Sequence, residues 1–264
     1  AAIQSHPKEE IIQLSNETGN LPYLSQEVNT FIGGSLVPRI IVDISQENLR
    51  DAQILAKVGY RYDMLLDKYH MGEQSVDFVY LADSLPSFTM PANLKQVYNY
   101  KTWFTIKDKT NIHPLFTLEE FVHAKHKDSC LNMVQIRNAD LTSSLFESLQ
   151  LDKTIVFIVE TNHLHGMADQ RQFFRNLQEI GIDNPVIVKR SYQKEDFSGP
   201  IGEFMNPEEP ISKIQLYAST DLGALLIDGL GSGIWIDSPA TALENLASLS
   251  FGILQATRSR ISKT

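Results

Sequence analysis

The sequence predicts an α/β fold, a TIM-like (β/α)8 barrel with irregularities, in which parallel strands alternate with helices. Three observations predict it. Short β-branched or aromatic runs, typical of strands buried on both faces, recur along the chain. Amphipathic stretches at helical spacing stand between them, which implies parallel strands joined by right-handed crossovers. Eight such units need about 250 residues, and the chain has 264. An open doubly wound sheet is the alternative, because periodicity does not register closure.

The elements follow in order. Residues 1–36 read as a lead-in linker with a short helix over 8–14 and a loop punctuated by Gly19, Asn20, Pro22, Gly33 and Gly34. The barrel-like domain is placed at 37–264. Its first strand is expected over 39–44. Ser45 is expected to cap a helix carrying Glu47 in its first turn, with Leu49, Ala52, Leu55 and Val58 at helical spacing and Gly59 as its stop. Strands are expected over 62–66 and 77–81, while 86–100 carries no clear pattern. Thr117 and Glu120 fit a capping box. A strand over 132–136 precedes a short helical face of Leu145, Phe146 and Leu149. The clearest buried strand is 154–159. The next helix carries Phe173, Phe174, Leu177 and Ile180 and stops at Gly181. Further strands are expected over 185–188, 213–217, 224–227 and 234–236. A final helix from about residue 240 faces Leu243, Leu246, Leu249 and Ile253 inward.

Composition narrows the functional classes. Apolar residues make up 42% and charged residues 21%, an ordinary globular balance. The net charge of −9 gives no overall attraction for nucleic acid or an anionic membrane, so neither is expected as a partner. The single cysteine, Cys130, excludes an internal disulfide, a multi-cysteine zinc site and an iron–sulfur cluster held by this chain alone. No run of about 18 apolar residues suggests a membrane span, and the start shows no secretory signal, so a cytoplasmic location is expected. The start also lacks Met: either the Met was removed or the chain is a piece of something longer.

Several segments invite a chemical reading. Asp228-Gly229-Leu230-Gly231-Ser232-Gly233 could expose backbone N–H groups to an anion. It is neither the dinucleotide fingerprint nor a phosphate loop, and a tight turn needing positive φ is the commoner role. Glu160, His163 and His165 follow the clearest strand, where a metal is conceivable, but no second ligand pair has a fitting spacing. His123 and His126, flanked by Lys125 and Lys127, read as a solvated face. Arg137, Lys189 and Arg190 lie near strand ends, where a barrel keeps its site, and suit an anionic substrate. Asp43, Asp67 and Asp83 are placed at corresponding ends, with helix capping the commoner role. Cys130, near Lys127 and Asp128, reads as a half-buried structural thiol. Trp103 and Phe104 could begin a strand or pack under a loop.

The run from Tyr217 through Asp221 to Gly233 resembles 4-hydroxy-3-methylbut-2-enyl diphosphate synthase, the iron–sulfur enzyme of the non-mevalonate isoprenoid pathway. The tail from Ser250 to Arg260 is similar to the segment just before that family's first cluster cysteines. Together the two stretches cover about a fifth of the chain, and Asn184-Pro185-Val186-Ile187 agrees loosely. A long form of the family carries an extra domain between its catalytic barrel and its cluster domain, and this chain looks like that insert. In the family's catalytic barrel the glycine turn leads to an Arg and, two residues on, a Ser, both used on the substrate diphosphate. The matching positions here are Trp235 and Asp237. An indole does not neutralise a phosphate and a carboxylate repels one.

The resemblance therefore implies a central, structural spacer domain with no catalytic, cofactor-binding or metal-binding residues of its own. It implies a parent oxidoreductase that opens 2-C-methyl-D-erythritol 2,4-cyclodiphosphate with a [4Fe–4S] cluster held outside this chain. The implied partners are the parent's catalytic barrel and cluster domain, in a homodimeric parent. The alternative is a free-standing barrel enzyme acting on a phosphorylated small molecule, with Arg137 or Lys189 assisting. A third reading is an interaction module that forms a subunit interface and exposes an apolar patch.

Overall fold

The computed structural model describes residues 22–141, 152–163, 166–193 and 210–257. The expected helical turns at 8–14, the face of Leu145, Phe146 and Leu149, and His165 lie outside them. A short antiparallel hairpin comes first, β1 (Glu27–Val28) and β2 (Ile32–Gly33). Barrel strand β3 (Arg39–Asp43) is followed by a 3₁₀ helix (Ala52–Val58) and a second antiparallel hairpin, β4 (Tyr60–Asp63) and β5 (Lys68–Met71). Seven more barrel strands complete the sheet: β6 (Phe78–Ala82), β7 (Lys95–Asn99), β8 (Ile112–Thr117), β9 (Asn132–Ile136), β10 (Ile155–Val159), β11 (Val186–Ser191) and β12 (Gly233–Asp237). Helices α1 (Tyr100–Thr105), α2 (Leu118–His123), α3 (Gly166–Ile180), α4 (Pro210–Ile227) and α5 (Leu243–Ala256) lie between or after them.

The eight barrel strands pair in chain order, all parallel, and β12 closes on β3 through Gly233–Arg39, Ile234–Ile40 and Trp235–Ile41. The fold is thus a closed TIM-like barrel. Strands such as β3, β10 and β12 read as nearly continuous apolar runs because both faces are covered. In β10, Val156 and Ile158 point inward with Ile41, Met133, Ile187 and Trp235. Ile155, Phe157 and Val159 point outward against a helical layer that includes Phe173, Phe174 and Leu177. The end where the strands start is sealed by the first hairpin. Val28 and Ile32 are buried in the inner cluster, and Phe31 is covered by Arg39 and Lys95 at 4.1 and 4.4 Å. Gly33, at φ 87°, makes this plug possible, since a Cβ there would stand 2.1 Å from the Gln26 carbonyl oxygen.

The structure corrects several expected elements. Residues 62–66 are not a barrel strand but straddle β4 and the tip of the second hairpin. The strands expected over 213–217 and 224–227 are both parts of α4. Ile214, Ala218, Leu222 and Leu225 are all fully buried at helical spacing, but apolar residues surround most of that helix, which hides the period. Ser45 caps no helix. The cap belongs to Asp51, whose Oδ1 accepts from Gln53 N–H at 2.9 Å, and Gly59 at φ 92° ends the 3₁₀ helix as expected. β7 and β8 were not foreseen, because Lys95, Gln96, His113 and Pro114 interrupt their apolar pattern. The capping box forms, with Thr117 Oγ1 accepting from Glu120 N–H at 3.2 Å and Thr117 N–H reaching Glu120 Oε2 at 3.0 Å.

Candidate functional site

A parallel barrel gathers its polar inward side chains where the strands end. With a period of two, the parity that points Ile41, Val97, Leu115, Met133, Ile158, Ile187 and Trp235 into the core also sends other residues to the mouth. These are Asp43, Asn99, Thr117, Gln135, Glu160, Lys189 and Asp237. Lys189 Nζ stands 3.4 Å from Glu160 Oε2, and Arg137 Nη2 stands 3.3 Å from Glu160 Oε1. Lys189 also sits 4.3 Å over the ring of Trp235, which is tilted against Tyr80 at 5.1 Å. The indole is 1% exposed, and its Nε1 has no hydrogen-bond partner among the described residues.

Acid dominates the rest of the mouth. Tyr80 donates to Asn99 Oδ1 at 2.6 Å, Asn99 Nδ2 donates to Asp83 at 2.8 Å, and Thr102 donates to the other Asp83 oxygen. Burial pushes the Tyr80 hydroxyl up to about 12, helped by the charges of Asp43 and Asp83. Burial, with the charge of Asp43, also raises Asp237, while Lys189 and a hydrogen bond from Ser191 oppose the shift. Beside this network is a cleft of about 260 Å³, lined in part by Asp83, Asn99, Lys101, Thr117, Glu120 and Gln135, in which Lys101 pairs with Glu120 at 3.9 Å.

The structure brings together Asp43, Asp83, Arg137, Glu160, Lys189 and Asp237, and separates the other candidates from them. Arg190 is one residue out of phase with the mouth and faces outward. Its Nε and Nη2 both lie 2.9 Å from Asp221 Oδ2 on α4, and Tyr192 donates to the same oxygen at 3.2 Å. Asp221, part of the run resembling the synthase, is thus a partner that fastens α4 to β11. Asp67 is not at a barrel strand end; it lies in the tip turn of the second hairpin at φ 47°. Asp43 does take a capping-like role, its Oδ1 accepting from Ser45 N–H at 2.8 Å.

The glycine turn lies at the opposite end of the barrel, before β12. Leu230 N–H bonds to the Leu225 carbonyl at 2.9 Å and Gly229 N–H to that of Leu226 at 3.1 Å, a Schellman closure of α4 with Gly229 at φ 71°. Ser232 N–H is taken by the Val186 carbonyl, and Asp228 pairs with Arg171. These bonds make the turn the link from α4 into β12. Trp103 is buried in α1, and Phe104 is exposed beside His126. Cys130 is exposed rather than half-buried, because its backbone turns outward around Asp128, which accepts from Cys130 N–H at 2.8 Å. Asp128 also pairs at 3.3 Å with the buried His113, a contact that no local pattern announced. Among the described residues no group of three His, Cys, Asp or Glu is placed to hold a metal ion, and no helix is long and apolar enough to cross a membrane.

No protein-family model matches the chain. Curated relatives do. The chain is 31% identical over 233 residues to 4-hydroxy-3-methylbut-2-en-1-yl diphosphate synthase (flavodoxin) of Parabacteroides distasonis, covering 88% of this chain and 32% of that protein. Proteins of the same name match at 34% over 132 residues in Porphyromonas gingivalis, 49% of this chain and 20% of that protein, and at 42% over 110 residues in Protochlamydia amoebophila, 42% and 14%. The resemblance seen in the C-terminal third is therefore shown, and it extends over most of the chain. The chain spans about a third of the length of the Parabacteroides relative.

Proposed function

We infer that this chain is a non-catalytic barrel of a longer 4-hydroxy-3-methylbut-2-en-1-yl diphosphate synthase, a rigid spacer between the parent's catalytic barrel and its cluster domain. The parent would reductively convert 2-C-methyl-D-erythritol 2,4-cyclodiphosphate to 4-hydroxy-3-methylbut-2-enyl diphosphate in the non-mevalonate pathway. The similarity to segments of the curated synthases supports the family. One observation carries the non-catalytic reading. The single carboxylate of Glu160 engages two cations of the mouth, Arg137 and Lys189; a third, Lys101, pairs with Glu120 at 3.9 Å, and Asp43, Asp83 and Asp237 stand nearby. Three cations facing five carboxylates hold no positive field for a diphosphate.

The residues of this chain do not fit a [4Fe–4S] cluster. Such a cluster takes about four thiolates, and the chain has one cysteine, exposed and far from the mouth in the fold. In this reading the cluster belongs to another part of the parent. The barrel's contribution would be placement: closing a site between two domains demands accuracy of about an ångström. A closed barrel with both strand faces buried supplies that stiffness, which a flexible linker lacks.

Two measurements test the reading. The isolated chain, given the cyclodiphosphate and a reductant, is expected to give no turnover; turnover overturns the non-catalytic role. An antibody raised against the chain is expected to detect, in source cells, a polypeptide well above 29.8 kDa that contains these peptides internally. A native product of 29.8 kDa overturns the spacer role.

A further inference from the structure

The second hairpin is rooted at the end of the barrel where the strands start. Val76 N–H bonds to the Val58 carbonyl and Asp77 N–H to that of Ile40, both at 3.1 Å, which ties its base to the start of β3 and β6. Its tip carries Met64, Leu65 and Leu66 in succession, 86%, 96% and 57% exposed, and Tyr62 and Met71 on its arms are about half exposed. Contiguous apolar surface of this kind marks an interaction site on a folded protein. The tip is held in shape, because Asp63 Oδ1 accepts from the N–H groups of Leu65 and Leu66 at 2.8 and 3.2 Å. Asp63 also pairs with His70 at 3.2 Å, and Tyr62 donates to Asp67. Both carboxylates are thus engaged within the hairpin, and the tip offers aliphatic side chains outward. Little ordering is left to lose on binding.

The place where the described chain ends indicates the occupant. α5 packs against β12, β3 and the 3₁₀ helix that leads into the hairpin, and Lys57 in that helix stands 3.8 Å from Glu244 in the first turn of α5. After α5, Thr257 lies beside Gly223, where a Cβ would meet its methyl group at 3.8 Å, one turn before α4 ends at the glycine turn. The last described residue therefore stands toward the strand-start end, on the helix next to the hairpin's base. The first described residues do not. Tyr23 N–H bonds to the Gly229 carbonyl and its hydroxyl to those of Ile182 and Asn184, beneath β11 and β12 and on the far side of α5. The inference rests on the spacer reading, in which the polypeptide continues past residue 264; this chain covers 32% of the Parabacteroides relative. We propose that the Met64–Leu66 ridge docks on an apolar face of the part of the parent that follows residue 264. The two surfaces belong to one polypeptide and lie close to the junction, so their high effective concentration lets a small ridge hold them together. The hairpin would thereby turn a single covalent link into a fixed angle.

The test uses the full parent polypeptide with a photo-crosslinking benzoyl-phenylalanine in place of Leu65. Cross-links are expected within one polypeptide, to peptides that follow residue 264. Cross-links only to the part that precedes this chain, only between two polypeptides, or to nothing overturn the docking while leaving the spacer reading in place. A native product of 29.8 kDa removes the spacer reading and the docking with it. A second measurement is limited proteolysis at the junction after residue 264. Leu65→Glu and Leu66→Glu are each expected to speed cleavage there about 30-fold, the size of an interface hot spot, because cleavage tracks the undocked fraction. The Tm of the 264-residue chain should not change with either substitution, because both side chains are exposed in it. Cleavage at the wild-type rate in both variants overturns the proposal.

Discussion

Lys189 and Glu160, at the ends of adjacent strands β11 and β10, meet at 3.4 Å with the ammonium resting 4.3 Å above Trp235. The pair is largely buried, with side-chain exposures of 14% and 17%, so solvent screens it weakly. Arg137 shares the same carboxylate. The cations that sequence reasoning set aside for an anionic substrate are thus occupied within the fold.

Small phosphate esters and inorganic phosphate are accordingly expected to show no saturable binding to the isolated chain by calorimetry, and Lys189→Ala should leave that result unchanged. Saturable binding by the wild type, weakened by Lys189→Ala, would instead favour a free-standing enzyme with an anion site at the mouth.

Arg190 and Asp221 form the opposite kind of pair, fastening β11 to α4 with side-chain exposures of 10% and 16%. Replacing either by Ala strands its partner's charge in the interior. The expected loss is about 3 kcal/mol, read from the urea midpoint at constant slope. Gly166→Ala should also destabilise, by about 1–3 kcal/mol, because the new Cβ would lie 2.1 Å from the Arg190 guanidinium. Wild-type midpoints in these variants would show that the clamp carries little.

Asp237 sets a pH dependence with a definite sign. Burial and Asp43 raise its folded pKa above the ordinary 3.8, so the folded state binds the proton more tightly than the unfolded chain. Its contribution to stability is present below 3.8 and is lost as pH rises through the folded value. Asp237→Asn keeps the shape and removes the cost of ionisation. It should be more stable than the wild type at pH 7 and lose that advantage near pH 3, as followed by thermal melts at both pH values. An equal shift at both would exclude titration as the cause.

Gly229→Ala tests the turn as structure. The position needs φ 71°, and a Cβ there would come within 2.8 Å of Pro22. A loss of about 1 kcal/mol or more is expected in chemical denaturation, with no change in anion binding. An anion affinity that falls with this substitution would reinstate the turn as a phosphate site.

Where a strand is apolar on both faces and bounded by polar turns, its pattern is legible from sequence alone, as with β10 and β12. The capping box at Thr117 and the stops at Gly59 and Gly181 were legible because each rests on local chemistry. α4 reads as two strands because apolar residues such as Leu216 and Ile227 also stand on its exposed face, which blurs the amphipathic period that distinguishes a helix. β7 and β8 escaped notice because Lys95, Gln96 and His113 are polar residues whose neighbours in the fold come from distant strands. The mouth was half legible. Arg137, Lys189, Asp43 and Asp83 were placed near strand ends, but Arg190 and Asp67 were grouped with them. One residue of phase turns Arg190 outward, and a hairpin carries Asp67 to the other end of the molecule.

By itself, the sequence determined the alternation of strands and helices, the family resemblance and the single cysteine, since these depend on residue type and local spacing. Only the tertiary structure decided that the sheet closes, that Glu160 engages both Arg137 and Lys189, and that the glycine turn and the apolar hairpin lie away from the mouth. Those outcomes depend on which distant strands lie side by side, and pairing across a barrel is a long-range property that no local window of residues contains.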